Sequence, residues 1–195
     1  MPITDPGRTF KDISFHKDRT AIEALAARRI MSGRSTDLFE PEAAMTRAEF
    51  AAVMVKTLGL PAKKTVVVLA DVPTDSRYAG AVSTAYEYGL LGGAGDASSF
   101  NPGDLIIRQE AAVIVTCAAG LCGLETAIDS GEVRDLPAPF PDYVTAADWA
   151  RASLALCYRE DILSRDDLNI RPQEPIKRCE TAQMLFQLLG AANLI

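Results

Sequence analysis

Apolar residues recur at helical spacing in six separate stretches of the chain, each closed by a break. Ile22, Leu25, Ala26 and Arg29-Ile30 follow a 3.6-residue period and predict a helix over 18–31, with Gly33 just beyond it as a stop. Phe50, Val53, Met54, Thr57 and Leu58 form a stripe at i, i+3, i+4, i+7 and i+8. They predict a second helix that begins near Arg47 and ends at Gly59. The same reading gives helices near 79–91 and 108–119, then near 148–162 and 178–189. Val66 to Leu69 is β-branched and reads as a short extended piece, too short to make a sheet. Residues 121–139 form a longer connection, in which Leu121 to Ile128 adds a short helix.

The six helices fall into three pairs because the chain repeats itself. Arg-x-Glu occurs as Arg47/Glu49, Arg108/Glu110 and Arg178/Glu180. A proline stands six residues before each arginine (Pro41, Pro102, Pro172), and a large apolar residue two before each proline (Phe39, Phe100, Ile170). A glycine follows each arginine by twelve residues (Gly59, Gly120, Gly190). Upstream, Asp12, Asp71 and Asp142 each lie two residues after an apolar one. Agreement at several fixed offsets divides the chain into repeats at 1–64, 65–136 (with its connector) and 137–195. A two-helix unit cannot bury its apolar faces alone, so the three must pack together. The expected fold is all-α: three helix-loop-helix repeats in one pseudo-three-fold domain, with an open solenoid as the alternative packing. The first helices are expected at the centre, burying Ile22, Leu25, Val82, Leu154 and Cys157. The second helices would bury Phe50, Val53, Met54, Ile114, Val115, Met184 and Leu185.

Composition narrows the function. Apolar residues are 48% of the 195 and charged residues 24%, enough for a sizeable core. The net charge of −6 argues against nucleic acid as a partner. No apolar run is long enough for a membrane span. The opening MPITDPGRTF lacks the charged-then-apolar pattern of a signal peptide. Charge is uneven: net +3 over 1–64, −7 over 65–136 and −2 over 137–195. The four cysteines, Cys117, Cys122, Cys157 and Cys179, match no zinc or redox spacing, and no disulfide is expected. One histidine, His16, stands near no nucleophile motif. No paired-carboxylate cleft, metal cluster or phosphate loop is visible, so no catalytic residue, metal or cofactor is expected.

Thr46 to Glu49 fits a capping box, the hydroxyl accepting from the Glu49 amide and the carboxylate from the Thr46 amide. Ile107 and Lys177 replace the threonine elsewhere, while Glu110 and Glu180 remain. The arginines are another matter. A cation at the first helical position opposes the helix dipole, so local preference does not account for three of them. Two explanations stand: pairing with Asp12, Asp71 and Asp142 of the same or a neighbouring repeat, or an anion site made of guanidinium and free helix amides. Gly33 and Gly92-Gly93 would let a ligand approach the backbone closely, or simply stop helices. Trp149 is read as core, with sugar stacking as the alternative, and Cys157 as a small core residue.

These motifs resemble the S-layer homology family. Repeat 1 carries Phe10-Lys11-Asp12-Ile13, His16-Lys17, Arg29-Ile30-Met31-Ser32-Gly33, Phe39-Glu40-Pro41 and Met45-Thr46-Arg47-Ala48-Glu49-Phe50. The likeness covers about residues 10–190. It departs where Lys17 and Arg77-Tyr78 stand at the position that Trp149 keeps, and where Arg165 replaces a loop glycine. The resemblance implies a non-catalytic anchor, extracellular at the cell wall or S-layer and a terminal module of a larger surface protein. Its partner would be a secondary cell-wall polysaccharide, commonly pyruvylated, held in grooves between repeats. Carried onto this chain, the ligand-binding residues are Arg47, Arg108, Arg178, Asp12, Asp71, Asp142, Gly33 and Gly93. Motif integrity, the loop glycine and local charge rank Arg47 first, Arg108 next and Arg178 last. A helical-repeat protein–protein adaptor with structural arginines is the competing function.

Overall fold

The computed structural model describes residues 1–61, 69–91, 99–163 and 168–195. Gly92, Gly93, Arg165 and most of the extended piece expected at 66–69 lie outside them. Seven α-helices are present among the described residues: α1 (Arg19–Ala27), α2 (Arg47–Thr57), α3 (Ala79–Glu87), α4 (Arg108–Leu121), α5 (Ser130–Asp135), α6 (Asp148–Arg159) and α7 (Arg178–Ala191). No strand occurs among them, only isolated bridges. The three pairs are α1/α2, α3/α4 and α6/α7.

Helix ends differ from expectation in an instructive way. α1 stops at Ala27 rather than at residue 31, because Arg29 takes a left-handed conformation (φ 58°). Gly89 and Asp161 do the same after α3 and α6. Gly59 (φ 63°) does end α2, but Gly120 and Gly190 lie inside α4 and α7, where Gly123 and Asn193 take over the stop. Left-handed residues also sit between the apolar residue and the proline of each loop: Glu40, Asn101 and Arg171. The connection after α4 holds its helix at 130–135, not at 121–128. Asp129 caps it, its Oδ1 accepting from Gly131 and Glu132 at 2.7 and 3.0 Å, while Glu132 returns a bond to the Asp129 amide.

The repeats close on one another. Each first helix packs on the second helix of the preceding repeat: α3 on α2, α6 on α4, and α1 on α7. Contact between α1 and α7 joins repeat 1 to repeat 3, so the arrangement is not an open solenoid. The expected placing of helices is inverted, since the second helices meet one another (α2 with α4, α4 with α7) and the first helices lie against their flanks. The reason is visible in the backbone. The Met45 amide donates to Ile176, Ile176 to Ile106, and Ile106 to Met45, at 3.1, 3.0 and 3.0 Å. This closed triangle of main-chain bonds stands just before the three second helices, and its three side chains are fully buried. Next to it, the first two amides of each second helix donate to the loop of another repeat: Arg47 and Ala48 to Asp104 and Pro102, Arg108 and Gln109 to Glu174 and Pro172, Arg178 and Cys179 to Ala43 and Pro41. Amides that a helix normally leaves unpaired at its start thus become the joints of the ring.

The core follows the predicted stripes. Ile22, Leu25, Val82, Leu154 and Cys157 are buried, as are Phe50, Met54, Ile114, Val115, Met184 and Leu185. Val53 is half-buried at the edge of this core. Trp149 is not core: it is 51% exposed on the first turn of α6. The four cysteines are free thiols. No helix among the described residues is long and apolar enough to cross a membrane.

Candidate functional site: the inter-repeat grooves

The three aspartates shape loops. Asp12 accepts the amides of Phe39 (2.9 Å) and Glu40 (2.7 Å). Asp71 accepts those of Phe100 (2.9 Å) and Asn101 (2.5 Å), and Asp142 those of Ile170 (2.9 Å) and Arg171 (2.6 Å). Each carboxylate therefore holds the left-handed residue of its own loop in place. Asp71 illustrates the electrostatics: burial alone would raise its pKa, but the amides of Phe100 and Asn101 and the Ser99 hydroxyl bring it below the ordinary 3.8. Gly33 also has a packing role. A Cβ there would lie 2.5 Å from Leu38 O, Ser35 O and the Phe10 ring.

The arginines do not pair with these aspartates, and they do not serve their own repeat's loop. Each reaches into the next repeat. Arg47 Nε donates to Phe100 O at 2.8 Å, and its Nη1 to Glu110 Oε1 at 2.7 Å. Arg108 Nη2 lies 2.5 Å from Glu180 Oε1. Arg178 Nε donates to Phe39 O at 2.9 Å and its Nη2 to Ser32 O at 2.7 Å. The loop carrying Gly33 is consequently approached by Arg178 and not by Arg47.

The motif glutamates do two jobs at once. Oε2 of Glu49, Glu110 and Glu180 accepts its own helix's capping amide, from Thr46, Ile107 and Lys177 at 3.1, 3.1 and 2.9 Å. The other oxygen meets guanidinium. Thr46 completes the expected capping box through its hydroxyl. In repeat 1 Arg34 takes the glutamate, and Arg178 bonds the Phe39 and Ser32 carbonyls and lies over the Phe39 ring. Burial and the nearby Arg34 charge pull the Arg178 guanidinium below its ordinary pKa. Glu180 is gripped by Arg108 and by Arg171, the latter at 2.9 Å. Burial would raise its pKa, but the Arg108 charge, the Lys177 amide and Arg171 bring it below 4.5.

One groove stands out. All three repeats line a cavity of about 300 Å³: Lys17 from the first, Arg108 from the second, and Tyr158, Asn169, Glu180 and Gln183 from the third. A shallower hollow of about 410 Å³ adjoins it, sharing Lys17, Asn169 and Glu180 and adding Arg171 and Lys177. Arg108 is 4% exposed, and its Nε has no acceptor among the described residues. In the other two repeats that nitrogen bonds the loop carbonyl, Phe100 O or Phe39 O. An orphaned N–H on a buried cation costs on the order of 1–3 kcal/mol. Lys17, Asn169 and Arg171 escaped the sequence reading. Lys17 looked like a lost aromatic, and Arg171 occupies the variable place of the Phe-x-Pro loop.

Comparison with known proteins agrees with the repeat pattern. The model of the S-layer homology domain matches three times, over residues 9–51, 69–112 and 139–182. The chain is 30% identical over 187 residues to exoglucanase XynX of Acetivibrio thermocellus, covering 95% of this chain and 16% of that protein. It is 30% identical over 189 residues to amylopullulanase of Thermoanaerobacterium thermosulfurigenes (96% and 10%). It is 27% identical over 168 residues to the surface-layer 125 kDa protein of Lysinibacillus sphaericus (84% and 13%). The chain thus spans about a sixth or less of each of these relatives. The chain belongs to the S-layer homology family, whose repeats anchor surface proteins to the cell wall.

Proposed function

We propose that this chain holds a larger surface protein to the envelope by binding an anionic secondary cell-wall polysaccharide, with pyruvate ketals as the recognised charge, and that it catalyses no reaction. The observation that carries the reading is the buried Arg108 guanidinium beside the 300 Å³ groove, with one N–H unpaired. Carboxylate is the natural ligand of a guanidinium fork. Lys17, Arg171 and Lys177 join Arg108 around the same opening, four cations against the three carboxylates of Asp18, Glu42 and Glu180, although the whole chain is acidic. The geometry favours Arg108 over Arg47, because both pair with a glutamate but Arg47 also commits its Nε to Phe100 O. Arg178 is committed to Phe39 O and Ser32 O. These two arginines, Asp12, Asp71, Asp142 and Gly33 shape the loops and seams that form the grooves. Gly93 lies outside the described residues, and its role as a ligand contact rests on the family resemblance alone.

Retention of the purified protein on cell walls, before and after chemical removal of pyruvate ketals, tests the function; no retention on any wall preparation overturns it. Lys17→Ala and Arg108→Lys test the groove by calorimetry against wall polysaccharide, with melting curves as the control for folding. Losing one charge-assisted bond, about 1.5–3 kcal/mol, weakens binding roughly 10- to 150-fold. Unchanged affinity in both folded variants overturns the groove assignment. A second reading has its own support: Arg47 and Arg108 each cross a seam to a glutamate, as the arginines of a protein–protein adaptor would. Binding to a protein partner with no affinity for wall glycan would establish it.

A further inference from the structure

Where repeat 3 meets repeat 1, three side chains of metal-ligating type converge: His16, Asp18 and Cys179. One donor atom from each lies within 4.8 Å of the others. His16 and Asp18 lead into α1, and Cys179 is the second residue of α7, so the ring closure alone brings them together. All three are shielded: the side chains of His16 and Asp18 are 15% and 11% exposed, and Cys179 is 3% exposed.

The surroundings already orient the histidine. Its Nε2 faces Glu42 Oε1 at 3.0 Å, and Glu42 Oε2 is in turn held by Lys177 at 2.6 Å. A carboxylate on Nε2 keeps the ring proton there and leaves the Nδ1 lone pair for a metal, the usual outer-shell arrangement of a ligating histidine. Nδ1 faces Asp18 Oδ2 at 3.9 Å and accepts the Asp18 amide at 3.1 Å. Nitrogen, thiol sulfur and carboxylate oxygen together suit Zn²⁺, which binds such donors at about 2.0–2.3 Å. The three donors need to draw in by roughly an ångström or less to reach tetrahedral spacing. The Asp18 and Glu42 carboxylates offset the charge of Lys17 and Lys177 nearby.

The other two seams lack this set. At the matching positions the seam between repeats 1 and 2 has Ser76, Tyr78 and Ala48, and that between repeats 2 and 3 has Asp148, Ala150 and Gln109. There Gln109 Oε1 instead accepts the Ala147 amide at 3.0 Å.

We propose that His16, Asp18 and Cys179 form a Zn²⁺ site, completed by water, that clasps repeat 1 to repeat 3. The ion replaces the Cys179 thiol proton, which passes to solvent, and displaces the Asp18 amide from Nδ1; no electron is transferred. The test is titration of the metal-free protein with Zn²⁺ by calorimetry and with Co²⁺ by absorption, for the wild type, Cys179→Ala and His16→Gln. Cys179→Ala places the residue found at the same position of repeat 1. The expected result is one ion per chain, a thiolate-to-cobalt charge-transfer band, and a higher melting temperature with Zn²⁺. Cys179→Ala abolishes the band, and both variants weaken Zn²⁺ binding at least tenfold and remove the thermal shift. No stoichiometric binding to the wild type, or a charge-transfer band and affinity that persist in Cys179→Ala, overturns the proposal.

Discussion

Gly33 and Gly190 show how differently one residue type acts in this chain. Gly33 sits where two backbone oxygens and the Phe10 ring crowd the missing Cβ at 2.5 Å. Backbone oxygens fixed by their own loop cannot yield cheaply, so Gly33→Ala is expected to lower stability by about 1–3 kcal/mol, the usual cost of overpacking. Gly190 lies inside α7 with nothing within 4 Å of a Cβ. Here alanine removes only the entropic handicap of glycine in a helix, and Gly190→Ala is expected to add about 0.5–1 kcal/mol. Urea unfolding of the two variants checks both signs. Equal effects would mean that close packing at Gly33 is not what selects glycine.

At the scale of elements, helix starts matter more here than helix propensity. Each second helix hands its first two amides to another repeat, and each loop is pinned by one aspartate. Asp12→Ala would leave the Phe39 and Glu40 amides without their acceptor, so a loss of about 1–3 kcal/mol is expected, by melting. Asp12→Asn, which keeps one acceptor oxygen, is expected to lose less. Helix positions and most of the core were legible because the apolar stripes are strong. Ends were less so: Arg29 and Asp161 take left-handed conformations that no glycine advertises. The helix at 130–135 buries no residue and so leaves no stripe to read. Its Asp129-x-x-Glu132 cap was the available signal. Trp149 misled for the opposite reason, since a large aromatic is core by composition and only the docking of α6 decides which face it presents.

At the scale of the whole molecule, the repeat count was legible and the connections between repeats were not. Fixed offsets name equivalent residues but not partners, so nothing in the chain said that Arg178 serves the loop of repeat 1. Nor did chain order show that His16 and Cys179 meet. Closure makes stability a collective property, because the seams share glutamates between helix caps and guanidinium groups. Acid is therefore expected to dissolve the seams. The sign follows from the carboxylates. Glu180, which crosses the seam to Arg108, is pushed upward by burial, but the Arg108 charge and the Lys177 amide bring it below its ordinary 4.5. Asp71 is likewise depressed below 3.8. A carboxylate whose folded pKa lies below its unfolded value stabilises the fold above the unfolded value, and that contribution is lost as pH falls through the folded one. The melting temperature is thus expected to hold from pH 7 to about 5, then fall progressively below about pH 4.5, in a single transition. Glu180→Gln is expected to melt lower than the wild type at pH 7 and to show a shallower acid decline, because its share of the titration is gone. The measurement is calorimetric melting of both proteins from pH 7 to 3. A wild-type melting temperature that rises on acidification, or an acid decline unchanged by Glu180→Gln, would show that the seam carboxylates do not govern closure.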